Sequence, residues 1–513
     1  MTLEFGVVTT TAPALDATDH RVDVAAPVHQ HTRRAWLPFL VGTAAMLSIG
    51  GYKLISAPLH WDEGATLSAA SRSIPEIFRL AQNLDALITP YYVLMHFWIA
   101  VFGDSDLALR LPSLLATSIG VGLVGELGRR LIGPATGIVA GLLCAMLPVL
   151  SFHGLQARPY GFVFLFTMLA TIALYRAIDR PSWLRWTGYA ACLLVTGLLQ
   201  LTSLSVVAAH LVIVALAWYR SRDRRLFRAL VSAAVAAVFL LPLLAVGMKQ
   251  RDTQLNWVQS PTWETWRAVP EDLTLHAPAA YLLVGLALAA AAVMARRIYL
   301  ALALIVAAPI LILLIVSMLG SPVWVARYAM FVLGPLSILA AAPLTAKASV
   351  PVAVRSLVAL GLLAGTTSAY HQEIRVSRGA TDTKTMAEVI VTNGNPGDGV
   401  VFGDYTNRPT LFHYLKRVGA QPEQIPRDVL VAQSEVEIGN FNVRSCPDAA
   451  ACLRGVPRLW FATTNSVDGP APLERDNPQL AALKAGYDVA QEWDMGPGRL
   501  TLLVAKPAAQ GGG

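Results

Sequence analysis

Long apolar runs recur from residue 35 to residue 368, separated by short polar loops. A backbone in hydrocarbon must satisfy its own N–H and C=O groups, so runs of this length and number read as a stack of transmembrane helices. Composition agrees: 55% of the 513 residues are hydrophobic, 14% are charged, and the mean hydropathy is +0.52. The formal charge of +7 does not point to nucleic acid. The basic residues cluster between apolar runs, where membrane topology explains them.

Residues 1–32 are polar and without periodicity, and read as a disordered cytoplasmic tail. Arg33 and Arg34 precede the run 35–55, which lies too far along the chain for a cleavable signal and reads as an anchor. The run 89–103 decides the topology. It is short, aromatic-rich and contains His96, so it is expected to lie in the interface rather than cross. The remaining spans are then 35–55, 109–128, 134–151, 159–177, 186–203, 204–219, 229–247, 279–295, 298–318, 327–345 and 350–368. With eleven spans, the loops holding Arg129-Arg130, Arg176 with Arg180 and Arg185, Arg220 to Arg228, Arg296-Arg297 and Lys347 all share the side of the N-terminus. The excess of basic residues places that side in the cytoplasm and the C-terminus outside.

Three outer segments follow: 56–108, 248–278 with Trp257, Trp263 and Trp266, and a tail from 370 to 513. The tail alternates helical and strand patterns: helices near 383–392, 409–417 and 478–486, strands near 398–404, 458–463 and 500–505. This suggests a small α/β domain with a partly parallel sheet. Cys144 and Cys192 fall in apolar runs and read as packing residues. Cys446 and Cys452 lie close together in the tail, where an extracytoplasmic setting favours a short-loop disulfide; free thiols are the alternative.

The chemistry gathers in the first outer segment. Asp62 and Glu63 follow the first span at a membrane surface. They fit a helix N-cap and first turn, and also a general base that removes a hydroxyl proton; the two roles are compatible. Asp85 is a third carboxylate there, suited to acceptor binding, to sharing a divalent cation with Asp62, or to an ordinary loop. Asp104 and Asp106 read as caps for the next span. Arg158 and Arg327 sit at outer span ends. They either snorkel or hold an anionic phosphate whose charge grows as a bond to it breaks.

Several stretches occur in order: His60-Trp-Asp-Glu-Gly64, Pro90-Tyr-Tyr-Val-Leu-Met-His-Phe-Trp98, Phe102-Gly-Asp-Ser-Asp-Leu-Ala-Leu-Arg-Leu-Pro-Ser113, Gly128-Arg-Arg-Leu-Ile-Gly133, Gln156-Ala-Arg-Pro-Tyr160 and Arg327-Tyr328. With these the chain resembles the GT-C superfamily of polyprenyl-phosphate-dependent glycosyltransferases. It looks most like bacterial relatives of the protein O-mannosyltransferases and the aminoarabinose lipid A transferases. The resemblance implies a catalytic acid of the first outer loop, which falls on Asp62 with Glu63 beside it. It implies interfacial helices in that loop. It also implies a donor phosphate held by basic residues and a tyrosine, placed on Arg158, Arg327 and Tyr328. Tyr91, Tyr92, His96, Gln156 and Tyr160 complete the expected substrate-binding set. One departure stands out: relatives often carry a His or Lys before Pro-Pro-Tyr-Tyr, whereas this chain has Leu87-Ile-Thr-Pro90.

The expected protein is therefore a polytopic α-helical membrane protein of GT-C type. Its parts are the tail 1–32, a transmembrane module 33–369 whose catalytic loop is 56–108, and the domain 370–513. The expected activity is inverting transfer of a sugar, mannose being the first candidate, from a polyprenyl-phosphate donor to an extracytoplasmic acceptor. A transporter or lipid flippase should place its charges at mid-membrane in repeated halves, which this chain lacks. A noncatalytic scaffold displaying the tail would tolerate loss of Asp62, Arg158 and Arg327.

Overall fold

The structure is a computed structural model and describes residues 35–52, 54–320, 322–376, 381–403, 407–463 and 478–507. The expected tail 1–32 lies outside the described residues. The first part of the chain builds α1 (Leu37–Gly51), α2 (Trp61–Ala70), α3 (Ile74–Asn83), α4 (Thr89–Phe102), α5 (Asp106–Leu131), α6 (Pro134–Ala145), α7 (Pro148–Phe152) and α8 (Tyr160–Asp179). Then come α9 (Trp183–Leu199), α10 (Val206–Ser221), α11 (Arg228–Gln254), α12 (Trp263–Thr274), α13 (Ala277–Ala289), α14 (Arg296–Leu319), α15 (Leu333–Thr345) and α16 (Val352–Val376).

Every expected span contains a helix. Among the described residues, seven helical segments are long and apolar enough to cross a membrane, or eight if the bent pair α12–α13 is one span. The helices at the other expected spans, α1, α6, α9 and α13, are shorter. The near-continuous run around residue 203 is broken after Gln200 by a 3-10 turn, Leu201–Ser205, before α10 begins. Helix α11 runs past the expected end at 247 to Gln254. Helix α12 meets the helical stretch that begins at Ala277 at 95°.

Helix α4 has 14 residues. At 1.5 Å per residue it covers roughly 21 Å, short of the roughly 30 Å hydrocarbon core. With α2 and α3 it forms a cluster of short helices. Close packing of α1, α5 and α6 holds this end of the molecule. A Cβ on Gly125 would lie 2.4 Å from the Pro38 carbonyl oxygen, and one on Gly137 2.3 Å from that of Gly125. Glycine at both points lets backbones touch, which drives helix association where lipid supplies no hydrophobic force.

The C-terminal domain comprises α17 (Thr383–Asn393), β1 (Gly399–Phe402), α18 (Arg408–Arg417), β2 (Arg427–Asp428), β3 (Val431–Gln433), β4 (Arg444–Ser445), α19 (Ala449–Leu453), β5 (Arg458–Thr463), α20 (Pro478–Gly486), β6 (Tyr487–Met495) and β7 (Gly498–Ala505). Its five-stranded sheet has the order β2-β1-β5-β7-β6. Strand β1 runs parallel to β2 and β5, while β7 runs antiparallel to β5 and β6. Strand β6 was not expected from the sequence. It lies at the sheet edge and is mostly exposed, so it carries Asp488, Gln491, Glu492 and Asp494 instead of an apolar signal. Cys446 and Cys452 form a disulfide.

The sheet domain docks on the short-helix cluster. The Tyr414 hydroxyl donates to Asp106 Oδ2 at 3.0 Å and accepts from the Leu59 N–H at 2.9 Å. The His413 ring lies 3.6 Å from Asp104 and 3.5 Å from Asp106. The expected capping role therefore changes hands. Ser105 caps α5, its hydroxyl accepting from Ala108 N at 3.1 Å, and the two aspartates meet the C-terminal domain.

Candidate active site

The short-helix cluster starts at His60. Its Nδ1 accepts from the Asp62 N–H at 3.3 Å, and Glu63 Oε2 accepts from the His60 N–H at 2.9 Å. This reciprocal cap satisfies donors that the first helical turn leaves open. The expected cap at Asp62 is thus corrected: His60 caps α2, and Asp62 and Glu63 both lie in its first turn.

The turn sends the two carboxylates in different directions. Glu63 is fully buried and faces Arg110, also fully buried. Arg110 Nε donates to Oε1 at 2.8 Å and its second terminal nitrogen to Oε2 at 2.6 Å. The remaining guanidinium hydrogens reach the carbonyls of Leu54, Ala57 and Pro58, each at 2.9 Å. Glu63 Oε1 also accepts from the Ala157 N–H at 3.1 Å. This pair ties α2, α5 and the loop before α8 together, and Glu63 has no access to a substrate.

Asp62 faces a cavity of about 520 Å³. Arg158 donates to its Oδ1, while Oδ2 makes no hydrogen bond among the described residues and lies 3.9 Å from His60 Nδ1. Burial pulls the Asp62 carboxyl upward, but the charges around it, Arg158 foremost, outweigh burial and hold it below its ordinary value. Burial also lowers the His60 pKa against the pull of Asp62 and Glu63, which keeps that ring neutral at pH 7.

Arg158 extends the network. Its NH1 donates to the Tyr92 hydroxyl at 3.0 Å, which in turn donates to Asp85 Oδ2 at 2.6 Å. Gln254 Nε2 donates to Asp85 Oδ1 at 3.0 Å. Asp85 has φ +56°, in the left-handed region that Asp tolerates better than most residues. Burial raises its pKa, opposed by Arg158 and the Tyr92 hydrogen bond. The environment thus pushes the Asp62 and Asp85 pKa values in opposite directions.

Arg327 completes the cavity's polar wall. Its Nε donates to the Tyr160 hydroxyl at 3.1 Å, and its guanidinium lies 5.2 Å from the Trp257 ring centre and 5.6 Å from that of Tyr328. No carboxylate lies within 4.0 Å of it among the described residues. Arg251 also lines the cavity; its partner Asp252, at 3.4 Å, is almost fully exposed, so the pairing is weak. With Asp62 neutralised by Arg158, the cavity keeps net positive charge.

Asp62, Asp85, Arg158, Tyr160, Arg327 and Tyr328 all line the cavity. Tyr92 stands directly behind, between Arg158 and Asp85. Glu63, Tyr91, His96 and Gln156 do not line it. Tyr91 is buried inside the cluster, His96 Nδ1 bonds the Ala70 carbonyl at 3.0 Å, and Gln156 is buried against His153 at 3.3 Å. These four have structural surroundings rather than substrate-facing ones. Among the described residues no group of three or more His, Cys, Asp or Glu is placed to hold a metal. The cation allowed for Asp62 and Asp85 therefore lacks a ligand cluster. Leu87, at the place where a basic residue was expected, packs against α11: a Cβ on Gly247 would meet its side chain at 2.4 Å.

Sequence reasoning missed Arg110, Gln250, Arg251, Gln254 and the C-terminal residues Asn440, Phe441 and Asn442. Arg110 carried a signal, since a charged residue opening an apolar run needs a partner. Gln250, Arg251 and Gln254 follow the apolar run of α11 as an ordinary polar ending. Nothing local marks residues 440–442.

The family described as dolichyl-phosphate-mannose-protein mannosyltransferase matches residues 89–248. Sequence comparison with curated proteins finds no match. Among solved structures, ArnT from Cupriavidus metallidurans bound to undecaprenyl phosphate aligns with a TM-score of 0.61 at 16% identity, covering 94% of this chain and 100% of that one. The fold is that of ArnT. Its apo form aligns at 0.60 and 14% identity, covering 91% of this chain and 98% of that one. The ArnT-like fold and the apolar helices agree with the expected polytopic helical membrane architecture with a small C-terminal sheet region.

Proposed function

We propose that the protein is an integral-membrane glycosyltransferase that moves a sugar from a polyprenyl-phosphate donor to an acceptor hydroxyl. The observation that carries this reading is Asp62, engaged by Arg158, in the same cavity as Arg327, a cation without a carboxylate partner among the described residues. The mannosyltransferase family match over residues 89–248 and the ArnT-like fold support it.

In this reading the donor phosphate sits against Arg158, Arg327 and Tyr328, with Arg251 taking the place of the basic residue absent at Leu87. The acceptor hydroxyl approaches Asp62 Oδ2. Its oxygen attacks the anomeric carbon, the proton passes to Oδ2, and the bond from anomeric carbon to phosphate oxygen breaks with inversion. The electron pair stays on the leaving phosphate, whose charge rises from −1 toward −2. Arginines already in place stabilise that charge without reorganising. Arg158 serves both ends: as the phosphate gains charge it draws on this guanidinium, and Asp62 becomes more basic as the proton arrives. Asp85 holds Tyr92, which orients Arg158.

The basic loops on the side away from the cavity support a cytoplasmic N-terminus, with the cavity and C-terminal domain outside. The test is transfer from labelled undecaprenyl-phosphate mannose to membrane acceptors. Asp62→Asn is expected to lower the rate by at least about 100-fold, with donor binding retained. Transfer at the wild-type rate in that variant would remove Asp62 as the base. Absence of transfer from any polyprenyl-phosphate sugar would remove the activity itself.

A further inference from the structure

One wall of the cavity comes from the C-terminal domain. Pro409, Asn440, Phe441 and Asn442 line it together with Asp62 and Asp85. The segment carrying the last three residues lies between β3 and β4, and it is fastened at both the sheet domain and the short-helix cluster. Arg408 bonds Asp428 and Glu435, both at 2.8 Å, which anchors the segment's start. Across the seam, Arg72 donates to the Asn440 carbonyl at 2.6 Å. Asn83 Nδ2 donates to the carbonyls of Gly439 at 3.0 Å and Ile438 at 3.3 Å. Gly439 has φ +63°, and a Cβ there would lie 2.9 Å from both the Arg79 and Asn83 side chains. Backbone conformation and space both call for glycine at this contact.

This seating brings Phe441 to the centre of the polar network. Its ring meets that of Tyr92 edge-on at 6.2 Å between centroids, and Arg72 stacks over it at 5.6 Å. Tyr92 is the residue that bridges Arg158 and Asp85. The loop therefore stands beside the Tyr92–Arg158–Asp85 network. Asn440 spends Oδ1 on the N–H groups of Phe441 and Asn442, at 2.7 and 3.3 Å. Its Nδ2 and the whole Asn442 carboxamide have no protein hydrogen-bond partner among the described residues. An aromatic ring between two amide side chains offers an apolar surface with donors and acceptors at its edge. That is the chemistry of a sugar, whose C–H face is apolar and whose rim is hydroxyl groups.

We propose that the Gly439–Asn442 loop of the C-terminal domain is the sugar-selecting wall of the cavity, with Phe441 against the face of the transferred sugar and Asn440 and Asn442 bonding its hydroxyls. The proposal rests on the donor-binding reading above and names the group that distinguishes a loaded carrier from a bare one. The phosphate end of the donor belongs to the arginines, and the sugar end to this loop. An interaction surface that spans the domain seam explains why the loop is fastened on both sides.

The test uses the purified full-length protein in lipid nanodiscs and measures binding of four lipids: undecaprenol, undecaprenyl phosphate, and undecaprenyl phosphate bearing mannose or glucose. The wild type is expected to bind at least one sugar-bearing lipid more tightly than the bare phosphate. Asn442→Ala, at an exposed side chain, should cut that preference by about three- to tenfold, the size of one lost hydrogen bond. Phe441→Ala should reduce the preference further. Binding of bare undecaprenyl phosphate should stay within about twofold of wild type, which a general collapse of the site would not allow. An unchanged preference in both variants overturns the proposal, as does equal loss for bare and loaded lipids, or a wild type that prefers neither sugar. A wild type that binds undecaprenyl phosphate no better than undecaprenol overturns the donor reading itself, a different and separable result.

Discussion

Asp62 and Glu63 are adjacent in the chain and differ in chemistry because consecutive helical positions point about 100° apart. Glu63 is spent on Arg110, and removing it would strand a fully buried guanidinium. Glu63→Ala is expected to destabilise the protein by about 3–5 kcal/mol, read as a lowered unfolding temperature, with transfer falling as a consequence. Asp62→Asn keeps an oxygen acceptor for Arg158, so it should lower the unfolding temperature less than Glu63→Ala while cutting transfer by at least about 100-fold, and comparing the two variants separates support from chemistry. Asp85 gives a pH signature. Burial raises its pKa, so folding favours its protonated form; that contribution is present at low pH and is lost as pH rises through the folded pKa. Asp85→Asn should therefore gain stability relative to wild type as pH rises from 4 to 8, and a stability difference that stays flat with pH would contradict this. The sequence reveals the acidic pair but not which member is free, because that depends on Arg110, distant in sequence from Glu63. His96 was misplaced for a related reason: side-chain direction on a helix is set by what packs against it, and its partner, the Ala70 carbonyl, comes from another helix.

Helices were the most readable elements, since apolar runs carry their own signal. What the runs do not show is where a helix stops once it leaves the membrane. Helix α11 continues for two turns into polar sequence, and those turns grip the first loop. Gln250 Nε2 donates to the Ala81 carbonyl at 2.7 Å, and its Oε1 accepts from the Ala86 N–H at 2.9 Å. Gln254 then reaches Asp85. Gln250→Ala would leave two backbone groups unpaired, at a cost of about 1–3 kcal/mol for a buried one. The expected result is faster amide exchange around residues 81–88 and slower transfer. The glycine contact between α5 and α6 makes a second test. Gly137→Leu should prevent the close approach and reduce folded yield, whereas Gly285→Leu, at a position with open space around it, should not.

The molecule joins a membrane stack to a sheet domain through contacts near the candidate site. Its orientation can be tested directly: a cysteine placed at position 104 should react with an impermeant thiol reagent added from outside intact cells. Labelling only after permeabilisation would invert the proposed topology. The alternation of helical and strand patterns in the tail indicated a folded α/β domain, and its strands were legible wherever they are buried. Its share in the cavity was not legible, because three residues of an unremarkable loop acquire meaning only through the surface they land on.

That placement bears on how such proteins diversify. The covalent boundary between the two parts lies near residue 376, where α16 ends, but the cavity is divided along a different line. A chimera cut after α16, joining this membrane stack to a sheet domain from a relative, would keep the arginines and Asp62 while exchanging the loop at 439–442 and its grip on Arg72 and Asn83. Recombination at the obvious junction therefore trades one face of the pocket for another. A graft that keeps a complete pocket must carry α2 and α3 along with the sheet domain.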